Sequence, residues 1–220
     1  LDQGIDNLGD NSKMDIKASD KNEYSNIYIK RDNKPISFGV NYNDLGQFDT
    51  SRHRLRYFLD THNILGLNES LDFSYQNKLQ RQYKERDTRN FSFGVSLPFK
   101  YWTFSYSYDN SEYLRTINIQ NRKYRATGKT KNQTFGLRKM LHRNEEHKID
   151  IGARITLKDS KNYIDDLRLV SSSRKLSVLT VDTTYTGRIF SGLLSTNLGV
   201  SFGLERFAAN KDKEEWYRNE

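Results

Sequence analysis

Apolar and polar residues alternate at every second position in nine successive segments of the chain. In one of them, for example, the apolar Phe104 and Tyr106 flank the polar Ser105. Alternation with a period of two is typical of β-strands that have one apolar and one polar face. The segments span 36–42, 52–59, 71–76, 90–97, 102–109, 135–141, 149–157, 179–185 and 194–204. The pattern therefore predicts an all-β, antiparallel fold whose second face is lined mostly by small polar residues.

The length of the segments and of their connections favours a transmembrane β-barrel. Most segments approach the roughly nine to eleven residues with which a tilted strand crosses a bilayer, whereas strands of soluble sandwiches average about five to six. From the fourth segment onward, short connections (98–101, 142–147, 187–192) alternate with long, charged ones (110–127, 158–173, 205–220). Short periplasmic turns and longer outer loops are typical of outer-membrane barrels. A soluble all-β binding module with one wet face is the alternative.

The chain before Pro35 has a different pattern. Residues 1–8 are predicted to end a helix, and 14–19 with 25–31 to form a hairpin. We therefore expect two units: the C-terminal part of a small α+β domain at 1–33 and the N-terminal part of a barrel at 34–220. Nine strands is an odd number, and single-chain bacterial barrels close with even numbers. The chain is therefore expected to continue at both ends.

Composition narrows the class of protein. Hydrophobic residues make up 35% of the 220 residues and the mean hydropathy is −0.90, yet aromatics reach 13%, which is unlike a disordered chain. No apolar run approaches the roughly 18 to 20 residues of a spanning helix. Cysteine is absent, which excludes disulfides and thiolate metal sites formed by this sequence. The net charge of +8 raises a nucleic-acid hypothesis. The basic residues share the polar face while most rings share the other, so bases cannot stack beside them, and no nucleic-acid partner is expected.

Motifs that resemble catalytic sites lack their remaining parts. Residues 199–203 fit the G-x-S-x-G pattern of a nucleophile elbow, but no histidine follows His147 in the chain, so a catalytic triad cannot be completed in the usual order. His142 and His147 are five residues apart, a spacing that does not place two imidazoles on one helix face. We therefore predict no catalytic residue, no metal site and no cofactor, and that the protein is not an enzyme.

Charged residues of the polar face are the candidate functional residues. In a barrel whose apolar face meets lipid, the other face lines an aqueous lumen. Basic and acidic residues are both present on that face, so their charges partly balance. The predicted lumen-lining residues are Arg52, Arg54, Arg56, Asp72, Arg138, Asp150, Arg154 and Asp182.

Several stretches of the sequence carry a resemblance to a known family. The run NYNDLGQFDTSRHRLRYFLDTHNILGLNESLDFSY (41–75) is similar to the first barrel hairpins of the two-partner secretion transporters, the TpsB or hemolysin secretion/activation class (ShlB/FhaC/HecB type). Residues 101–113, 137–166 and 174–212 resemble successive segments of the same family in the same order. LDQGIDNLG (1–9) is similar to the last helix of the family's second POTRA domain. The resemblance covers nearly the whole chain.

The resemblance implies a 16-stranded outer-membrane barrel with periplasmic POTRA domains. Such a transporter exports one large exoprotein, an adhesin, hemolysin or contact-dependent toxin, without ATP. It would lie in the outer membrane of a Gram-negative bacterium as a monomer, in contact with outer-membrane lipid and with its N-terminal segment in the periplasm. An insertase-type or porin-type barrel is the alternative within membranes. The family's plug helix, first POTRA domain and sixth-loop Val-Arg-Gly-Tyr/Phe motif have no counterpart in these residues, so no family site residue is transferred.

Overall fold

A computed structural model gives an all-β architecture for the chain. The structure describes residues 12–18, 25–31, 35–44, 53–79, 87–119, 122–144, 146–190, 192–207 and 209. Within these ranges, no helix is both long and apolar enough to cross a membrane. The helix predicted for residues 1–8 lies outside the described residues.

Twelve strands form two separate antiparallel sheets in the described part of the chain. Their bounds are β1 Ser12–Ala18, β2 Ser25–Arg31, β3 Ile36–Asn43, β4 Arg54–His62, β5 Ser70–Lys78, β6 Asp87–Phe99, β7 Trp102–Ile119, β8 Arg122–Arg143, β9 His147–Ile164, β10 Leu167–Arg168, β11 Arg174–Ile189 and β12 Gly192–Gly203. β1 and β2 pair only with each other, which confirms the predicted N-terminal hairpin. The large sheet has the order β12-β11-β9-β8-β7-β6-β5-β4-β3, with the two-residue β10 paired to β9. Its nine long strands correspond to the nine predicted segments.

The long strands extend well beyond the predicted segments. β7 has 18 residues and β8 has 22, and at about 3.3 Å per residue β8 alone measures roughly 70 Å. The predicted long connection at 110–127 is therefore wrong for most of its length, because Asn110–Ile119 pair with Arg122–Lys131. Residues 158–164 likewise belong to β9. The side chains at these positions do not follow the period-two pattern of the predicted segments, whereas the backbone pairing continues the strands.

Cross-strand register places the apolar residues of all nine long strands on one face. One row runs across every strand: Ile36, Thr61, Leu71, Val95, Tyr106, Phe135, Ile155, Leu179 and Phe202. Many large apolar side chains of this face are exposed, with Phe38 at 82% and Leu198 at 72%. The described residues bury only Ala126 and Met140 as an apolar core. An exposed apolar face of this extent requires an apolar environment or a partner.

The turn between β4 and β5 has a defined structure of its own. Asn63, Gly66 and Asn68 have φ values of 53°, 77° and 58°, a region that asparagine and glycine tolerate better than other residues. The Glu69 carboxylate accepts hydrogen bonds from the amides of Leu65 at 2.7 Å and Leu67 at 3.1 Å. Glu69 is only 3% exposed, so one buried carboxylate holds the backbone of the turn through these hydrogen bonds.

The Glu69 contacts make the stability of this turn depend on pH. The hydrogen bond from the Leu65 amide, supported by the Leu67 amide, lowers the pKa of the Glu69 carboxyl below its usual value. A lowered carboxyl pKa adds stability above the pKa of the unfolded chain, and that stability is lost as the pH falls through the folded pKa. We expect Glu69→Gln to lower the unfolding free energy of the full-length protein at pH 7 and to reduce its loss on acidification to pH 3.

Denaturant unfolding in lipid vesicles at pH 7 and pH 3 measures this difference. Asp166→Asn is the matched control, because Asp166 is exposed in another turn with a φ of 66°, a conformation that asparagine also adopts. An acid-induced loss that is the same in Glu69→Gln as in the wild-type protein would contradict this role of the carboxylate.

Candidate functional site

The polar face of the large sheet carries one compact cluster of charged and polar side chains, which we call the polar-face cluster: Arg138, Arg154, Asp182, Thr184 and Asn197. Arg138 Nη2 lies 2.7 Å from Asp182 Oδ2, and Arg154 Nη2 lies 3.0 Å from Asp182 Oδ1. Asp182 is 3% exposed, whereas the two arginine side chains are 40% and 48% exposed. The carboxylate is therefore covered by the two guanidinium groups that it pairs with, and these groups remain accessible from the polar side.

A glycine makes this arrangement possible. Gly152 on β9 lies between Arg138 on β8 and Asp182 on β11 in one cross-strand row. A Cβ atom at this position would lie 3.0 Å from Asp182 Oδ1 and 3.1 Å from Arg138 Nη2. β8 and β11 are separated by β9 and therefore lie about 10 Å apart. Arg138 spans this distance to Asp182 because Gly152 places no side chain between them.

One neutral donor, Asn197, adds a further hydrogen bond to Asp182. Asn197 Nδ2 on β12 donates to Asp182 Oδ2 at 3.3 Å and to Thr184 Oγ1 at 2.8 Å. Arg138 Nη1 also donates to Thr184 Oγ1, at 3.2 Å. The cluster therefore joins four strands, β8, β9, β11 and β12. Hydrogen bonds of this kind hold charged side chains in fixed positions on the face.

The remaining predicted residues that the structure describes lie on the same polar face but do not join the cluster. Arg54 and Arg56 are on β4, which lies near the other edge of the sheet, and they stand opposite Lys78 and Gln76 on β5. Asp72 on β5 lies directly opposite Asp60. Asp150 is next to the cluster on β9, with Lys148 Nζ 3.8 Å from its Oδ2. Arg52 lies outside the described residues.

Sequence reasoning missed Gly152, Thr184 and Asn197. Each follows the same alternation as the residues that it did select, since Asp182 and Thr184 are two apart on β11 and Gly152 lies between Asp150 and Arg154 on β9. Their neutral side chains gave no charge signal. Only the register, which sets Asn197 opposite Thr184, indicates that they belong to one network.

Small residues keep the surface beside the cluster open. A shallow hollow of about 250 Å³ is lined by Ser105, Gly136 and the two cluster arginines, among others. Two guanidinium groups share one carboxylate, so the cluster has one net positive charge within a polar surface. A net positive charge of this kind attracts anionic groups. Residues 199–203, which fit the nucleophile-elbow pattern, lie in β12 on extended backbone.

Comparison with known proteins identifies the family. The family model for the haemolysin secretion/activation proteins ShlB/FhaC/HecB matches residues 23–220, which is most of the chain. The chain belongs to this family. This confirms the resemblance carried by residues 41–75 and by the three later segments.

Two relatives and one solved structure show what fold the chain has. Over 225 residues the chain is 28% identical to the outer membrane transporter CdiB of Escherichia coli, covering 96% of this chain and 37% of that protein. It is 24% identical to the hemolysin transporter protein ShlB of Serratia marcescens, covering 96% of this chain and 39% of that protein. The solved structure of CdiB from Escherichia coli aligns with a TM-score of 0.87 at 28% identity, over 96% of this chain and 40% of that chain. The predicted antiparallel barrel fold is therefore confirmed, and the chain spans less than half the length of these relatives.

Proposed function

We propose that the full-length protein exports a large exoprotein through its barrel lumen, across the outer membrane of a Gram-negative bacterium and without ATP. The observation that carries this proposal is the division of nine long strands into an apolar face and a polar face that bears the polar-face cluster. Membership of a family whose relatives are named outer membrane and hemolysin transporters supports it. The exported protein would be an adhesin, a hemolysin or a contact-dependent toxin.

The arrangement of the connections supports one orientation in the membrane. β3 starts at the end of the strands where most of the turns are short, such as Lys100 and Tyr101 between β6 and β7. Short turns are periplasmic in outer-membrane barrels. We therefore assign residues 1–33 to the end of a POTRA domain in the periplasm and residues 34–220 to the barrel. The extended hairpin of β7 and β8 then projects outward from the cell.

The polar face would act as the wall of an aqueous path. We assign to this wall Arg52, Arg54, Arg56, Asp72, Arg138, Asp150, Arg154 and Asp182, with the newly found Asn197 and Thr184. Serine, threonine and glycine between these charges, such as Ser105, Thr134 and Gly136, occupy little volume and leave room for an extended chain. Passage of a chain breaks no covalent bond, and the proposal requires no catalytic residue or cofactor.

Site-specific photocrosslinking tests whether the exoprotein passes along this face. A photoreactive amino acid is placed at Ser107 or at its neighbour Tyr106 in the full-length transporter, and the exoprotein carries a folded C-terminal domain that stalls export. Ser107 lies on the polar face and Tyr106 on the apolar face of the same strand. We expect a crosslink to the stalled exoprotein from position 107 and none from position 106.

The pair Thr156 and Ile155 on β9 repeats the comparison on a second strand. Neighbouring residues of a strand lie at nearly the same height in the barrel but point to opposite faces. A difference in crosslinking between them therefore shows which face the exoprotein contacts. Equal crosslinking from both faces, or crosslinking only from positions 106 and 155, would contradict export along the lumen.

A further inference from the structure

The apolar face is bordered at one end by basic residues on the same side of the sheet. We call this group the outer basic cluster: Arg89 on β6, Lys129 and Lys131 on β8, Lys161 on β9 and Lys175 on β11. The register places Arg89, Lys129 and Lys161 in one row and Lys131 with Lys175 in the next. The row after that begins the apolar band with Phe93, Tyr108 and Leu157. Successive rows on one face are about 7 Å apart, so the lysines lie directly above the apolar band.

Carboxylates partly neutralise the outer basic cluster and orient it. Arg89 pairs with Asp87 at 2.9 Å, Lys161 pairs with Asp159 at 3.7 Å, and Lys129 pairs with Glu112. Five cations face three carboxylates, which leaves two positive charges. Within the described ranges, no carboxylate forms an ion pair with Lys131 or Lys175. Lys129 and Arg89 also keep 45% and 59% of their side-chain surface exposed.

The opposite face at the same height carries fewer basic residues, namely Lys158 and Arg174. There the register aligns the uncharged Asn90, Ser111, Thr130 and Ser160 in one row with Arg174 at its end, and Thr88, Tyr113, Gly128 and Asn162 in the next. Basic residues that served only to keep the hairpins in water would occur in equal numbers on both faces. The concentration of lysines on the apolar side therefore indicates an anionic partner beside the lipid band rather than in the lumen.

We propose that the outer basic cluster binds the phosphate groups of lipopolysaccharide in the outer leaflet. The proposal rests on the proposed membrane orientation, which places this end of the strands at the cell surface. Lysines near an anionic lipid surface bind it by charge attraction, and lipid A presents its phosphates at the height where the acyl chains end. The lysines lie at the corresponding height, immediately above the residues that would contact the acyl chains.

Two double variants separate this site from general electrostatics. Lys131→Gln/Lys175→Gln removes two charges from the outer basic cluster. Lys158→Gln/Arg174→Gln is the control and also removes two positive charges. Lys158 on β9 and Arg174 on β11 lie at nearly the same height, but their side chains are on the polar face. The full-length protein is prepared from each variant in detergent, delipidated, and titrated with lipid A bisphosphate in mixed micelles. A loss on the order of 20-fold in affinity is expected for the first variant, from the usual contribution of each lysine near an anionic surface, and a change below about two-fold for the second.

The choice of lipid identifies the ligand. We expect dephosphorylated lipid A to bind wild-type protein at least ten-fold more weakly, and phosphatidylglycerol not to compete at equal concentration. Equal loss in the two double variants, retention of affinity for dephosphorylated lipid A, or full competition by phosphatidylglycerol would each overturn the proposal. Crosslinking of the stalled exoprotein at position 107 tests the export proposal separately from lipid A binding. The first double variant is expected to lose lipid A binding and to keep this crosslink.

Discussion

Phe104→Arg is expected to lower the stability of the full-length protein in a bilayer by about 2 to 4 kcal/mol, the usual effect of an arginine at the midplane of a barrel's lipid face. Phe104 lies on β7 in the apolar row between Leu97 and Leu137 and is 49% exposed. An arginine there places a guanidinium group in hydrocarbon, where no described acidic side chain of the adjacent rows can pair with it. Folding titrations into lipid vesicles with denaturant measure the free energy.

The control for this experiment is Ser107→Arg. Ser107 lies on the same strand but on the polar face, between Gly94 and Thr134. A guanidinium group at this position stays in water, so we expect the stability to change by less than about 1 kcal/mol. A soluble sheet whose apolar face packs against a protein core would show its loss in buffer as well. Loss that appears only in vesicles identifies lipid as the partner of the apolar face, and equal loss in both variants contradicts that assignment.

Asp182→Asn is expected to destabilise the barrel by about 1 to 2 kcal/mol, because it leaves two guanidinium groups without their counter-charge. Hydrogen bonds to charged groups contribute roughly 1.5 to 3 kcal/mol when buried, and the exposure of Arg138 and Arg154 reduces this value. With Asp182 in the proposed lumen wall, the same substitution makes the lumen more positive by one charge, so conductance should become more selective for anions. Vesicle unfolding and planar-bilayer recordings of the full-length protein measure the two effects.

Asp72→Asn serves as the matched control for the polar-face cluster. It removes an equal charge from the same face, but Asp72 lies opposite Asp60, and two like charges in direct cross-strand contact are unfavourable. We therefore expect Asp72→Asn to keep or raise stability while it shifts selectivity in the same direction. If both variants lose the same stability, the pairing of Asp182 with the arginines contributes nothing specific.

Alternation of side chains was sufficient to predict the number of the long strands and which residues share each face. It failed where the regular alternation ends: the run from Asn110 to Ile119 continues β7 because its backbone pairs with β8, and its side chains do not follow the period-two pattern of the predicted segments. The same reasoning explains why the predicted outer loops were too long. Hydrogen bonding of the backbone is independent of side-chain polarity, whereas the hydrophobic pattern reports only on burial.

The candidate site was predicted in its charges but not in its contacts. Arg138, Arg154 and Asp182 could each be assigned to the polar face from their phase, but their convergence depends on which residue stands opposite which. That register is set by the turns and by irregularities such as the shift between Met140 and His142. A change of one residue in the register would move every side chain of a strand to the other face. Gly152 carries no charge, and its role in the contact between Arg138 and Asp182 is visible only in three dimensions.

The order of strands in the large sheet also has a kinetic consequence. Apart from the two-residue β10, each strand pairs with its neighbours in the sequence, so each new pairing closes only a short loop and loses little chain entropy. A topology of low contact order lets hairpins add one after another. By contrast, closure of a barrel pairs its first strand with its last strand, and these are remote in sequence. Completion of the barrel, rather than growth of this sheet, is therefore the step with the largest entropic barrier.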